Sequence, residues 1–407
     1  IFFLIIFIFS LIFYLLDLKI KEKLFLISFS LTISLLLLEG LINYLEYSKS
    51  VEYHAKKNNK KYDSRLRYEY YLDRLSKEED IVVSIPPFIT HREYFKNPQK
   101  FNYLPLGGIS NRKTIFCNEA GFFVEYQSDR YGFNNPDNEW SKNDHYLYLG
   151  DSYLHGVCVA EKNNIVGVLR STLKDERIGL INLGQRGNGP LSELGGLIEY
   201  KDKLNIKKIF WLYYEGNDLK NLRYESKIDK LNYYLINQSY KQFLINNQNQ
   251  IDEKLNFVLE NRIKFEKNSF YYMKQNKILT FLKLNKLRKY FSKIFSNKTK
   301  DYNDELIKLE KILHRANQIA LSINSEFYLV YIPTYNRLNK LSMKLDESYY
   351  DNIKNITKNL NLKFIDLSEL ILKKEKNPKN LFPYGLPKHF NEYGYNLISQ
   401  ILLENTN

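Results

Sequence analysis

The chain has 407 residues, 26% charged and 44% hydrophobic, enough for one large domain or two ordinary ones. Its formal charge is +14, yet the lysines are scattered among tyrosines and asparagines without the stripe or motif of a nucleic-acid reader, so nucleic acid is not an expected partner. Two cysteines, Cys117 and Cys158, exclude a disulfide-rich scaffold and a cysteine metal site. Two free thiols and a single disulfide both stay open, the disulfide requiring a domain outside the cytoplasm.

Residues 1–16, IFFLIIFIFSLIFYLL, have one clearly polar member, Ser10. Lys19, Lys21 and Lys23 follow, and Leu24 to Leu38 is again largely apolar, continuing past Glu39 and Gly40 to Leu45. About 20 residues cross the hydrocarbon core. The two runs therefore predict a membrane helical hairpin over residues 1–47, with one span plus a buried or interfacial helix as the alternative. A cleaved signal peptide is not expected, because a charged n-region and a small-residue cleavage site are missing. Glu39 is expected to reach the interface or take a proton. The lysines at 19–23 favour a cytoplasmic loop and those at 49–61 a cytoplasmic domain, so the positive-inside rule does not decide the orientation.

Residues 48–128 read as a linker and an ordered extension, with strand candidates at Ile81–Ile85, Thr114–Phe116 and Phe122–Tyr126. Asp129-Arg130-Tyr131-Gly132-Phe133 reads as a turn and opens the main domain, residues 129–407. Strand candidates at His145–Leu149, Ile178–Leu183, Ile209–Tyr214, Phe327–Ile332 and Leu362–Ile365 then alternate with helical stretches at about 164–173, 191–203 and 304–322. This alternation predicts an α/β fold, a mainly parallel sheet covered on both faces as in a flavodoxin-like three-layer sandwich. Residues 220–300 interrupt it as a helical insertion, a lid over the active face or a peripheral elaboration.

Three short motifs close the first three of these strands: Gly150-Asp151-Ser152, Asn182 to Gly189, and Gly216-Asn217-Asp218. A fourth, His389, stands in a loop before the last helix. Ligands of open α/β sheets bind outside the carboxyl ends of the strands. A serine hydroxyl needs a neighbouring base, and histidine is the usual one. Ser152 is therefore the candidate nucleophile and His389 the candidate base. The backbone N–H groups of Ser152 and Gly187 and the Asn217 amide are candidate oxyanion donors. Asp151, Gly150 and Asp218 are expected to support the site, Asp151 by holding the turn and Asp218 by binding backbone N–H groups. His155 is a second, weaker candidate base. Arg130, Arg186 and Arg337 could meet an anionic sugar or be ordinary surface charges. The six histidines have no zinc-ligand spacing, and no cofactor is expected.

This order of motifs resembles the SGNH, or GDSL-type, serine hydrolases, over roughly residues 129 to 403. The resemblance implies Ser152 as nucleophile, Gly187 and Asn217 as oxyanion donors and His389 as base. Its membrane-anchored members act on acyl groups of cell-surface polysaccharides, and Asp129–Phe133 looks like the lead-in of such relatives. It thus implies a serine esterase cleaving acyl, chiefly acetyl, esters on a carbohydrate or lipid. An O-acyltransferase of surface polysaccharide and a non-catalytic glycan-binding or assembly protein are the alternatives. The implied partners are the lipid bilayer, an acylated glycan or lipid and a membrane protein of polysaccharide modification. The implied location is the cytoplasmic membrane, with the catalytic domain facing the periplasm or the exterior. One position departs from the pattern: the aspartate expected three residues before the histidine is Leu386. A backbone carbonyl, Glu392 or Asp366 would then have to hold His389, or activity would be reduced.

Overall fold

The computed structural model describes residues 16–77, 80–295, 301–340 and 347–406. The chain divides into two units, residues 54–268 with 299–407, and residues 1–53 with 269–298. Residues 54–128 thus cluster with residues 129–268, and residues 269–298 with the amino-terminal stretch.

In the larger unit, three short strands come first: β1 (Ile81–Val83), β2 (Lys113–Cys117) and β3 (Val124–Gln127). β1 pairs parallel and β3 antiparallel with β2. Five further strands follow, β4 (Asp144–Gly150), β5 (Ile178–Asn182), β6 (Ile206–Tyr214), β7 (Glu326–Ile332) and β8 (Lys363–Asp366). They form an all-parallel sheet in the order β5-β4-β6-β7-β8. This is the flavodoxin-type order, with the reversal of direction at β4. The strands are near-continuous apolar runs because each face meets a helical layer. Leu147, Leu149, Ile209 and Trp211 enter one core, with the helices Pro190–Tyr200 and Asn303–Ser322. Their neighbours Tyr148, Phe210 and Leu212 enter the other, with the helices Ile165–Leu173 and Glu392–Thr406. Truncating the fully buried Trp211 to alanine is of the class that costs about 3–5 kcal/mol.

Among the described residues of the smaller unit, one helix, Leu18–Ser48, is long and apolar enough to cross a membrane. The first run of the expected hairpin lies outside the described residues but for Leu16; within them, one continuous helix takes in the second run together with the lysine stretch expected as the loop before it. The helix starts early because Asp17 caps it, its carboxylate accepting the Lys19 N–H at 3.1 Å. The helices Lys277–Leu282 and Asn285–Phe295 pack against it. Glu39 is buried and accepts the backbone N–H groups of Lys286 and Leu287 at 2.9 and 2.8 Å. These are free donors at a helix start. Glu39 thus caps a neighbouring helix, a partner that a span considered by itself could not supply.

Candidate active site

The chain leaves β4 for β5 on one side and reaches β6 on the other, so a crevice opens at the carboxyl end of β4. Ser152 stands there as the first residue of a one-turn helix, Ser152–His155. Gly150 ends β4 in close packing: a Cβ would stand 3.1 Å from both Leu154 Cβ and the Leu212 carbonyl oxygen. Asp151 caps the turn by accepting the Tyr153 N–H at 2.9 Å, and its other oxygen lies 3.1 Å from Ser152 Oγ. His389 Nε2 lies 2.9 Å from the same Oγ although 237 residues separate the two. Phe390 fixes the histidine loop. It is buried against Tyr153, Phe382 and Tyr395, and Asn391 caps the following helix through the Gly394 N–H.

The acid beside His389 is Glu119. Its Oε2 lies 2.9 Å from His389 Nδ1 and accepts the His389 backbone N–H at 3.1 Å. Burial would raise this carboxyl, but the hydrogen bonds and charge of His389 hold it down to about 2, so it is ionised at neutral pH. Neither expected substitute reaches the ring. Glu392 accepts from Asn163, and Asp366 accepts the Ser368 N–H and holds Tyr350. Glu119 sits in the turn between β2 and β3, which Asn118 closes by accepting the Gly121 N–H at 2.9 Å. Two residues earlier, Cys117 forms a disulfide with Cys158, six residues beyond Ser152, with Cα atoms 5.3 Å apart. Sequence reasoning missed Glu119. The signal was available in that cysteine pair, which ties the β2–β3 turn to the serine segment once it is assumed to be bonded.

The loop after β5 rests on the serine turn. Gln185 N–H donates to the Gly150 carbonyl at 3.4 Å, and Arg186 N–H donates to His155 Nδ1 at 3.1 Å. Gly187 has φ +87°, where a side chain is strained, and the Phe88 ring comes within 3.2 Å of where a Cβ would stand. Glu225 anchors the loop's exit by accepting the N–H groups of Gly189 and Leu191 at 2.8 and 3.0 Å. His155 is fully buried against Phe116 and Tyr126, and burial pushes it down to about 3, so it is a neutral prop of this loop.

Asn217 follows β6 and shares a cleft with Glu119, Tyr153, Tyr214, Tyr335 and His389. Its Oδ1 is buried without a partner among the described residues. Asp218 accepts the Tyr214 N–H at 2.8 Å and closes the turn. Arg130 pairs with Asp137 and Arg337 with Glu215. Asp129 is a structural hub, accepting from Tyr131, Phe133, Asn135 and Trp140. Among the described residues no group of three or more His, Cys, Asp or Glu side chains could hold a metal ion.

No protein-family model matches the chain, and no curated protein does. Among solved structures, the acetyl xylan esterase AlAXEase is similar, at 13% identity and TM-score 0.37, over 65% of this chain and 100% of its own. A lipolytic protein of the G-D-S-L family from Veillonella parvula DSM 2008 is similar at 12% identity and TM-score 0.35, over 64% of this chain and 96% of its own. A lipase/acylhydrolase from Enterococcus faecalis is similar at 13% identity and TM-score 0.33, over 64% and 94%. At these scores the site's own geometry is the ground for any function.

Proposed function

We propose that the chain is a membrane-anchored serine esterase that cleaves acyl esters, chiefly acetyl esters, on a carbohydrate or lipid. The observation that carries this reading is the relay Ser152 Oγ, His389 Nε2, His389 Nδ1, Glu119 Oε2, with both links at 2.9 Å. Glu119, held ionised, keeps the proton on Nδ1 and leaves Nε2 as the acceptor facing the hydroxyl. His389 takes the Ser152 proton as Oγ attacks the ester carbonyl. The N–H groups of Ser152 and Gly187 and the Asn217 amide hold the oxyanion. The alcohol leaves with the proton from His389. Water, deprotonated by the same ring, then attacks the acyl-enzyme, and the acid and free Ser152 are released.

A carbohydrate suits the cleft because Tyr214 and Tyr335, both half-buried, line it with aromatic surface and polar tips. The Cys117–Cys158 disulfide supports a domain outside the cytoplasm, where such bonds persist. The helix Leu18–Ser48 would be the anchor. A non-catalytic reading would have gained from Ser152 and His389 lying beyond hydrogen-bond reach, and the 2.9 Å between them supports the catalytic one.

The test is labelling of the purified chain by a fluorophosphonate, read by intact mass. One adduct is expected, absent in Ser152→Ala and slowed at least about 100-fold in His389→Ala. A folded chain that takes no adduct, or takes one that survives Ser152→Ala, refutes the assignment.

A further inference from the structure

Residues 277–295 carry six basic side chains, at Lys277, Lys283, Lys286, Arg288, Lys289 and Lys293, and no acidic one. Apolar residues recur through the second helix, Asn285–Phe295, at Leu287, Tyr290, Phe291 and Ile294, the i, i+3, i+4, i+7 pattern of a single face. Only the first of these is covered. Leu287 is 4% exposed, whereas Tyr290 is 57% and Ile294 51% exposed. The shorter helix before it, Lys277–Leu282, likewise exposes Ile278 and Leu282. Water is a poor solvent for such a face, and the cations around it point to the chemistry of its natural cover.

The level of this segment along the apolar helix is fixed by contacts. Glu39 accepts two N–H groups at the start of the helix Asn285–Phe295, Lys286 pairs with Glu46, and Phe281 lies 4.0 Å from where a Gly40 Cβ would stand. Leu31 is the middle of the run from Leu24 to Leu38, and Glu39 lies eight residues on. At about 1.5 Å per residue that is about 12 Å, against about 15 Å for half the hydrocarbon thickness. A span centred on Leu31 therefore brings residues 277–295 to the headgroup region at its carboxyl-terminal end.

We propose that residues 277–295 are an interfacial anchor, seated on an anionic phospholipid surface with Ile278, Leu282, Tyr290 and Ile294 among the acyl chains and the lysines at the headgroups. The inference rests on the helix Leu18–Ser48 being a span, and it gives the broken insertion a role that a lid does not. It holds whichever side of the membrane the segment faces, since it needs anionic headgroups and a hydrocarbon boundary.

The test reconstitutes the full chain into phosphatidylcholine vesicles with or without phosphatidylglycerol. An environment-sensitive fluorophore is attached at Ile294→Cys, Leu31→Cys or the exposed Ile307→Cys of the other unit, and quenching is read with shallow doxyl lipids for 294 and 307 and with deep doxyl lipids for 31. The native cysteines are bonded to each other, so the added thiol alone reacts. We expect the probe at 294 to be quenched at least about threefold more than at 307 in the anionic vesicles. About half of that gain should be lost without phosphatidylglycerol or after Lys283→Gln with Lys289→Gln. A probe at 294 that matches 307 while the probe at 31 is quenched overturns the anchor. An unquenched probe at 31 overturns the span instead. A probe at 294 that responds to protein concentration but not to doxyl lipid assigns the face to a second copy of the chain and also overturns the anchor.

Discussion

The crevice at β4 and the small sheet β1–β3 supply the same hydrogen-bonded relay in different ways. Ser152, the loop at Gly187 and the turn at Asn217 each follow a strand of the large sheet within a few residues, so sheet topology alone converges them. Glu119 comes from the turn of a separate three-stranded sheet and meets His389 across 270 residues of chain. It is held there by the Cys117–Cys158 disulfide and by its two contacts to His389. On the proposed reading, the nucleophile is found by its strand end, whereas the acid that orients its base can come from any segment able to reach the ring.

Glu119→Gln tests this division most severely. It keeps the shape but removes the charge that fixes the imidazole, so kcat should fall by about 10³–10⁴, as for the acid of a serine-protease triad. KM should change by less than about threefold. The same carboxyl carries a pH signature. Held at about 2 against an ordinary value of 4.5, it contributes stability that is full above 4.5 and lost as the pH falls from 4.5 towards 2. That contribution is of order 3 kcal/mol, and acid unfolding of Glu119→Gln should lack it. An unchanged kcat would return His389 to a two-residue relay.

The disulfide closes a loop with a sequence separation of 41 residues, for which chain entropy gives a stabilisation of about 4 kcal/mol. Cys117→Ser with Cys158→Ser should lower the denaturation midpoint accordingly. In a background of Glu119→Gln, the cysteine pair should cost no further kcat, because both changes act on one contact. Additive losses would mean that the disulfide serves the Ser152 turn directly.

The large sheet was readable because parallel strands buried on both faces are written as apolar runs. Each of β4 to β8 lies within about three residues of its expected span. The meeting of Ser152 with His389 was readable because their flanking residues are local: Gly150 and Asp151 on one side, Phe390 and Asn391 on the other. Glu119 was not, since Asn118-Glu119-Ala120-Gly121 is a turn like many others, and only the long-range cysteine pair marks it. The capping role of Glu39 was not readable for the same reason. Its partners, the N–H groups of Lys286 and Leu287, carry no side-chain signal at all.

Within the crevice, Asn217→Ala should cost about 10²–10³ in kcat if its amide holds the oxyanion. Stability should be unchanged or slightly higher, because the variant also removes a buried Oδ1 that has no partner. A loss of stability without a loss of kcat would make Asn217 a turn residue.

Gly187→Ala should have the smallest effect, and it separates backbone placement from side-chain chemistry. The N–H donor survives the change. What is added is a methyl group at φ +87°, which costs about 1–2 kcal/mol, and a contact 3.2 Å from the Phe88 ring. If the loop relaxes by turning its N–H away from Ser152, kcat should fall about tenfold while fluorophosphonate labelling slows in parallel, since both reactions need the same oxyanion donor. Phe88→Ala in the same chain relieves the ring contact but leaves the dihedral strain, so it should restore little if φ is the cause. Full recovery with Phe88→Ala would instead place the constraint in the packing of the helix Pro87–Lys96 over the loop. The oxyanion side would then, like His389, depend on a segment outside the large sheet.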